Sequence, residues 1–271
     1  MPVGLDQLVA AARSRAASSK TADRRSKYME MAARHQPRGF AAALRHAAKA
    51  GPAIIAELKK ASPSRGLIRG SFHVSVYAAE LQDAGAAALS VLTEEEHFQG
   101  SLANLAEASV AATLPCLRKD FIVDDFQILE ARAYGADAVL LIAAALSDAE
   151  LKKLLASGRE MGLDVLCEVH DEAELTRALD AGCDVIGVNN RDLRTLQVDL
   201  NTAIRLGPKL PGSALRVAES GIQSAADLRT VRAAGYDAFL IGESLMKAES
   251  PGEALKELLA SAAMGKHGLV V

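Results

Sequence analysis

Aromatic side chains are scarce in this chain. Its 271 residues include no Trp, 4 Tyr and 6 Phe, although hydrophobic residues make up 50% of the sequence. The core is therefore expected to be aliphatic. A disordered chain would carry fewer apolar residues, and a fibrous chain would show a glycine or proline repeat, so the sequence excludes both classes.

Long apolar runs and an excess of one charge are also missing from the sequence. The longest uninterrupted apolar run extends from Ala138 to Leu146, well short of the roughly 18 residues that a transmembrane helix needs. The net charge is −3, and no basic stripe is interleaved with aromatic residues. We therefore expect no membrane and no nucleic acid as a partner.

Cysteine is sparse as well. Cys116, Cys167 and Cys183 are odd in number and widely spaced, and each adjoins an apolar stretch. This pattern predicts buried free thiols in a reducing compartment rather than disulfides. The histidines show no spacing typical of a metal site, and the N-terminal segment does not resemble a signal peptide. We expect a cytoplasmic protein with no bound metal.

A repeat runs through most of the chain. Gly85, Gly135, Gly182 and Gly235 each follow an Ala-rich amphipathic stretch and precede an apolar run. This order predicts a helix that ends at glycine, a tight loop and then a buried strand. The glycines recur roughly every 50 residues, which is twice the length of one βα unit, so a second strand is expected within each interval.

Counting the apolar runs in this way predicts eight strands that alternate with helices. Strands covered on both faces are near-continuously apolar, and eight of them favour a closed (β/α)8 TIM barrel of the α/β class over 51–271. The predicted strands are Ala53–Leu58, Ala88–Leu92, Leu114–Leu117, Ala138–Ile142, Val165–Val169, Val185–Val188, Leu215–Ala218 and Ala238–Ile241.

The first 50 residues precede these strands. They contain three helix-like stretches, over Leu5–Arg15, Arg25–Arg34 and Phe40–Lys49. We expect 1–50 to form a helical extension that packs on the barrel and has no core of its own, so that the whole chain is one domain.

Polar side chains end most of the predicted strands, whereas the strand starts show no comparable collection. Barrel enzymes place their chemistry at the carboxyl ends of the strands. Two lysines and three glutamates gathered on one rim are costly to desolvate unless they are paired or used, and this mixture indicates acid–base chemistry on an anionic substrate. The strand-end groups are Glu57 and Lys59, Thr93 and Glu94, Arg118 to Asp120, Glu168, Asn189, Glu219 to Gly221, and Gly242 to Ser244.

Phosphate is the anion that these strand ends favour. Many barrels bind phosphate with the loops after the seventh and eighth strands, which here contain Ser220-Gly221 and Gly242-Glu243-Ser244. The loop after the first strand, 62–66 (SPSRG), could add a hydroxyl, and Arg191 could clamp the anion. The segment 61–70 has glycines that would let it act as a lid.

These segments resemble the indole-3-glycerol-phosphate synthase family. The resemblance runs in order from about residue 50 to 248, and the first segment and the one around Lys119 are the most specific. The matching segments are 54–64 (IIAELKKASPS), 90–94 (SVLTE), 98–101 (FQGS), 117–121 (LRKDF), 168–170 (EVH), 187–193 (GVNNRDL), 217–222 (VAESGI) and 240–246 (LIGESLM).

The resemblance implies a reaction and a substrate. The family closes the indole ring of 1-(2-carboxyphenylamino)-1-deoxyribulose 5-phosphate with loss of CO₂ and water, in tryptophan biosynthesis, without a metal or cofactor. We therefore expect a carboxy-lyase with a phosphorylated small molecule as its partner. We expect a monomer, or at most a weak dimer.

The resemblance also implies roles for individual residues. Lys119 would be the general acid, Glu168 the general base, and Lys59 would lie near the substrate carboxylate. Glu57 and Glu219 would orient the lysines. Ser220 is expected to be a further substrate contact. The residues expected at particular parts of the substrate are Asn189 at the hydroxyls, Phe98, Phe121 and Leu140 at the aryl ring, and Ser62, Arg191, Gly221, Gly242 and the backbone of Glu243 at the phosphate.

One expectation concerns electrostatics. A lysine that acts as an acid near neutral pH needs a lowered pKa. The sequence suggests Lys59 as the like-charged neighbour that would lower the pKa of Lys119.

Two other readings remain open from the sequence. The chain could be another phosphosugar-binding barrel enzyme, an isomerase or an aldolase, and an aldolase would need a Schiff-base lysine. It could also be a non-catalytic barrel that serves as an interaction module, although the five strand-end ions are all present.

Overall fold

The computed structural model describes residues 4–264 as a closed barrel of eight parallel strands surrounded by helices. This confirms the predicted TIM barrel. The predicted barrel extends to residue 271, and its last residues, 265–271, lie outside the described residues. The strands are β1 (Ala53–Leu58), β2 (Ala88–Leu92), β3 (Cys116–Lys119), β4 (Ala138–Ile142), β5 (Asp164–Val169), β6 (Val185–Asn189), β7 (Leu215–Glu219) and β8 (Ala238–Ile241).

The predicted strand bounds agree with these except at a few ends. β3 begins two residues later than Leu114 because Pro115, which has no N–H to donate to a neighbouring strand, precedes it. β5 begins one residue earlier, at Asp164, while β6 and β7 each include one further residue, Asn189 and Glu219. The functional side chains at these two ends therefore belong to the strands.

The parallel register brings the strand ends to one level. Glu168 of β5 pairs with Ile142 of β4 and Gly187 of β6, and Asn189 of β6 pairs with Glu219 of β7. β1 closes the barrel by pairing with both β2 and β8. Because all strands run in the same direction, their carboxyl ends form a single rim.

Helices fill the intervals between strands, as the glycine repeat predicts. The four repeat glycines have φ between +83° and +102°, the left-handed conformation that ends helices. The helices are α1 (Leu5–Ser19), α2 (Ala22–Arg34), α3 (Phe40–Ala50), α4 (Val74–Asp83), α5 (Leu102–Ala111), α6 (Asp125–Ala133), α7 (Asp148–Glu160), α8 (Glu172–Ala181), α9 (Asn201–Leu206), α10 (Ala225–Ala233), α11 (Glu243–Lys247) and α12 (Pro251–Met264).

The N-terminal extension follows the barrel from one rim to the other. Arg15 of α1 reaches the carboxyl rim, where it contacts Glu94 and Asp120. α2 packs Tyr28 against Phe126 of α6. α3 lies near the start of β1, and its Phe40 is fully buried. The extension thus shares the core of the barrel.

The opposite rim carries a polar cluster that the sequence reading missed. Asp137, immediately before β4, is fully buried and accepts hydrogen bonds from the backbone N–H and guanidinium of Arg38, from the N–H of Cys116 and from the ring of His35. Burial opposes ionisation, but these donors hold the pKa of Asp137 below its usual value. The cluster joins the extension to the barrel.

Three further sequence expectations can be compared with the structure. Cys116, Cys167 and Cys183 are buried free thiols, as predicted. The proposed lid segment forms a small antiparallel hairpin in which 61–62 pair with 66–67. Within 4–264, the helices are too short or too polar to cross a membrane.

Candidate active site

A cavity of about 760 Å³ opens at the carboxyl rim. It collects nearly all the side chains that the sequence singled out, from all eight strand ends and the loops that follow them. Its walls include Glu57, Lys59, Phe98, Lys119, Phe121, Leu140, Glu168, Asn189, Arg191, Glu219, Ser220, Gly221, Gly242 and Glu243.

Lys119 lies between two buried carboxylates at the centre of this cavity. Its Nζ donates to Oε2 of Glu168 at 2.8 Å and lies 3.0 Å from Oε2 of Glu219. Burial alone would lower the pKa of Lys119, but Glu168, Glu219 and Glu57 together raise it well above the usual value. Lys119 is therefore a protonated, paired cation.

The expected influence of Lys59 on Lys119 is wrong for this structure. The Nζ of Lys59 donates to Oε1 of Glu57 at 2.6 Å. Both side chains project from β1 and its end to the same side, because they are two residues apart. Lys59 is thus neutralised by its own neighbour, and carboxylates dominate the field at Lys119.

Three side chains from different parts of the chain lie against the carboxylate of Glu168. Oε2 receives Lys119 from β3, and Oε1 receives the side-chain amide of Asn189 from β6 at 3.1 Å. The Nε2 atom of His170 lies 3.4 Å from Oε1. Burial opposes the charge, but Lys119 and His170 hold the pKa of Glu168 well below its usual range, so this carboxylate is ionised.

Glu219 has a different environment although it touches the same lysine. It is 1% exposed, and within the described part of the chain neither carboxylate oxygen makes a hydrogen bond of good geometry. Burial raises the pKa of Glu219 to about 7, with Lys119 opposing and Glu168 and Glu57 adding to the rise. Gly187 permits this packing, since a Cβ there would lie 2.2 Å from Oε1.

The predicted phosphate side of the cavity contains a cluster of cations. Glu243 at the start of α11 lies 3.0 Å from Nε of Arg65, 2.6 Å from Nζ of Lys247 and 3.7 Å from Nη2 of Arg191. Burial opposes ionisation, but Lys247, Arg65 and Lys59 lower the pKa of Glu243. The carboxylate is neutralised, and cations remain in excess around it.

Two loops, those after β7 and β1, also belong to the predicted phosphate side of the cavity. Ser220, at the end of β7, has φ +64°, a strained conformation for a residue with a side chain, and Gly221 follows it. Among the described residues, the cavity wall includes Ser64 but not Ser62, whose Oγ is buried 3.5 Å from Oγ of Ser64. Ser64 thus lies at the surface of the cavity, with Ser62 directly behind it.

The other side of the cavity is apolar. Phe98, Phe121 and Leu140 line it, as the sequence suggested, together with Leu92 and Ile142. The backbone N–H of Phe98 donates to Oε2 of Glu94 at 3.0 Å, which anchors the loop that carries this ring. The sequence reading noted Glu94 only as a polar strand end.

Adjacent residues on β3 point in opposite directions. Lys119 faces the cavity, while Arg118 makes buried contacts with Thr93, Asp120 and Glu130. The alternation of strand side chains accounts for this division. Arg118 therefore belongs to the structural support of the rim.

The ring of His170, directly after β5, lies between two carboxylates, those of Glu168 and Glu174. Across residues 4–264, no group of three or more His, Cys, Asp or Glu side chains is arranged to hold a metal.

Comparison with known proteins identifies similar chains. The family model described as indole-3-glycerol phosphate synthase matches residues 5–258. The chain is 59% identical to the indole-3-glycerol phosphate synthase of Koribacter versatilis over 243 residues, covering 90% of this chain and 94% of that protein. It is 49% identical to the protein of that name from Chlorobium chlorochromatii, over 89% of this chain and 94% of the relative.

Solved structures share the architecture at low identity. Thiamine phosphate pyrophosphorylase from Pyrococcus furiosus is similar with a TM-score of 0.59 and 17% identity, over 79% of this chain and 96% of that one. At this identity the likeness concerns the fold alone.

Proposed function

Because the chain belongs to the indole-3-glycerol phosphate synthase family, we propose that its cavity closes the indole ring of 1-(2-carboxyphenylamino)-1-deoxyribulose 5-phosphate. The products are indole-3-glycerol phosphate, CO₂ and water. The observation that carries this proposal is the arrangement of Lys119, Glu168 and Glu219 between an apolar wall and a cationic one, which matches a substrate with an aryl ring at one end and a phosphate at the other.

Lys119 acts as the general acid in the first step. The aryl carbon that bears the carboxylate attacks the ketone carbon of the sugar chain, and Lys119 gives its proton to the ketone oxygen. Carboxylates around Lys119 raise its pKa, so the proton is present before the reaction, although the lysine is then a weaker acid than the lowered pKa expected from the sequence would make it. The C–CO₂ bond then breaks, and its electron pair restores the conjugation of the ring.

Glu168 acts as the general base in the second step. Glu168, an ionised carboxylate, accepts a proton from the nitrogen side of the ring as the new hydroxyl leaves. That proton passes to the departing oxygen, so that water forms and Glu168 is ionised again. The Asn189 amide, 3.1 Å from Oε1 of Glu168, holds the carboxylate in position and lies near the substrate hydroxyls.

Lys59 and Glu57 serve the substrate carboxylate. The ion pair at 2.6 Å leaves the remaining ammonium hydrogens of Lys59 free to donate to the carboxylate until CO₂ leaves. Glu219, beside Lys119, completes the orientation of the acid. Ser220, which follows Glu219 at the end of β7, is a further contact for the substrate.

The phosphate is held by Arg191, Arg65 and the loops at Gly221 and Gly242. Close backbone approach is possible there because both positions are glycine. The loop after β1 supplies a hydroxyl donor, Ser62 or its neighbour Ser64 on the cavity wall, and Glu243 contributes through its backbone N–H. Phe98, Phe121 and Leu140 hold the aryl ring by apolar contact.

An activity measurement tests the proposal. The protein is mixed with the carboxyphenylamino-deoxyribulose phosphate, and indole fluorescence is followed. The chain has no Trp, so the emission reports the product. Appearance of indole-3-glycerol phosphate with equimolar CO₂ supports the proposal, whereas trapping of a lysine–substrate adduct by borohydride without indole formation would favour an aldolase.

A single chain in a reducing compartment suits this function. The ionisable groups proposed for catalysis all come from one copy of the chain, so we propose a catalytically competent monomer. Three buried free thiols favour a cytoplasmic location. Activity per chain that is independent of protein concentration tests the first statement.

A further inference from the structure

The ring of His170 joins the rim of the barrel to helix α8. His170 follows β5 directly, and its Nε2 lies 3.4 Å from Oε1 of Glu168. Its Nδ1 lies 3.0 Å from Oε2 of Glu174 in the first turn of α8, and that same oxygen accepts the backbone N–H of His170 at 2.8 Å. The side chain is 15% exposed.

These contacts determine the charge of the ring. An ionised carboxylate only accepts hydrogen bonds, so the Nδ1 that contacts Glu174 must carry a hydrogen. A neutral ring would then place the lone pair of Nε2, which has no hydrogen bond of good geometry within the described residues, 3.4 Å from an oxygen of the Glu168 carboxylate, which is repulsive. The doubly protonated imidazolium removes this conflict. Although burial opposes the charge, the two carboxylates raise the pKa of His170 to about 10.

Charged groups reach His170 from each neighbouring element. β5 supplies Glu168, α8 supplies Glu174, and the loop after β6 supplies Asp192. The pKa of Asp192 is lowered first by the backbone N–H groups of Thr195 and Arg194 and further by His170. All three neighbours are anionic, so the imidazolium is the cation of this cluster.

Glu168 therefore has a cation on each side. Lys119 contacts Oε2, and His170 lies against the side of Oε1. The lysine is to give away its proton during the reaction, and at that moment Glu168 would lose its main counter-charge. His170 does not take part in that transfer, so its charge remains.

We propose that His170, clamped by Glu174, is a positioning residue that keeps Glu168 ionised and oriented while Lys119 transfers its proton. This inference rests on the proposed role of Glu168 as the base. The side chains of Lys119, Glu168, His170 and Glu174 then form a continuous row of contacts from the cavity to helix α8.

The test combines two variants with one control. His170→Asn removes the cation, and we expect kcat near pH 7 to fall about tenfold with little change in KM. The acidic limb of the kcat–pH profile should move upward, because Glu168 loses a neighbour that lowers its pKa. Glu172→Gln, at an exposed position of the same helix turn, should match the unmodified protein.

Glu174→Gln gives a sharper pattern. With one carboxylate removed, the pKa of His170 should fall toward its usual range. Below that pKa the variant should behave like the unmodified protein, and above it like His170→Asn. A purely structural role would instead lower activity equally at every pH.

NMR titration of the imidazole checks the charge without an activity measurement. The signals of His170 should show no deprotonation below about pH 9 in the unmodified protein and should titrate near neutrality in Glu174→Gln. Titration of the unmodified ring near pH 6.5 would overturn the proposal even if the enzyme is active. If the ring stays charged and His170→Asn leaves the kcat–pH profile unchanged, His170 does not position Glu168.

Discussion

At the scale of single residues, two glutamates that contact the same lysine differ in pKa. Glu168 has Asn189 and His170 as additional partners, and its pKa falls. Glu219 is equally buried but has only the lysine, and its pKa rises to about 7. Hydrogen bonds and charges at the second oxygen thus lower the pKa of Glu168, while burial without them raises the pKa of Glu219.

The raised pKa of Glu219 predicts a pH dependence of stability. In the unfolded chain this carboxyl titrates near 4.5, and in the folded protein near 7. Between these values the folded state binds the extra proton, so the free energy of unfolding falls as pH rises. Glu219→Gln removes this dependence and should gain stability relative to the unmodified protein from pH 5 to pH 8, by up to about 3 kcal/mol.

Denaturant unfolding at several pH values measures this difference. Glu160→Gln, at an exposed position at the end of α7, provides the control and should show no such trend. A Glu219→Gln variant whose stability difference is the same at pH 5 and pH 8 would mean that Glu219 is ionised throughout this range.

Sequence reasoning at this scale identified most of the cavity but not every side chain. It found Lys119, Glu168 and Glu219 because polar residues that end buried strands are conspicuous. It could not show that Ser64 lines the cavity while Ser62 lies behind it, since the direction of side chains in a hairpin depends on turn geometry that composition does not reveal. The charge of His170 depends on Glu174, which belongs to another element.

At the scale of elements, the first helix contributes to the active rim. Glu94 holds the backbone N–H groups of His97 and Phe98, and Arg15 of α1 lies 3.3 Å from that carboxylate. The helix therefore supports the loop that brings Phe98 to the apolar wall. The sequence predicted that the extension packs on the barrel, but the contact itself required the fold.

Arg15→Ala tests this support. With Glu94 less restrained, the loop that carries Phe98 should lose order, and we expect KM for the substrate to rise about threefold to tenfold, the effect of weakening one apolar contact. The melting temperature should change little, because a partly exposed ion pair stabilises only weakly. Steady-state kinetics and a thermal melt measure the two quantities.

Arg13→Ala is the matched control. Arg13 lies on the same helix and pairs with Glu150 at the surface, away from the loop with Phe98. Equal effects of the two substitutions on KM would show that the helix as a whole, and not the contact with Glu94, determines substrate affinity.

At the scale of the whole molecule, the two rims of the barrel have different roles. The rim at the strand starts joins the extension to the barrel through the buried Asp137 and its donors, while the opposite rim holds the cavity. Eight parallel strands with aliphatic interiors were predictable from the repeat of glycine and apolar runs. The path of the extension along both rims was not, because it depends on contacts such as Arg38 with Asp137 that are about 100 residues apart in sequence.

The scarcity of aromatic residues affects both the core of the molecule and its active site. An aliphatic core accounts for the eight buried strands. The absence of Trp means that the aryl ring of the substrate must be held by Phe and aliphatic side chains, and that product fluorescence can be followed with little background from the protein.

The proposed reaction depends above all on one step, the transfer of a proton from Lys119 that starts ring closure. Its most direct test is the kcat of Lys119→Ala, followed by indole fluorescence at saturating substrate, with Lys60→Ala as the control since Lys60 lies outside the cavity wall among the described residues. We expect kcat of Lys119→Ala to fall by on the order of 10² or more and the control to retain the unmodified rate. A Lys119→Ala variant that turns over at a rate near that of the unmodified protein would contradict the account, because the proton would then come from another group.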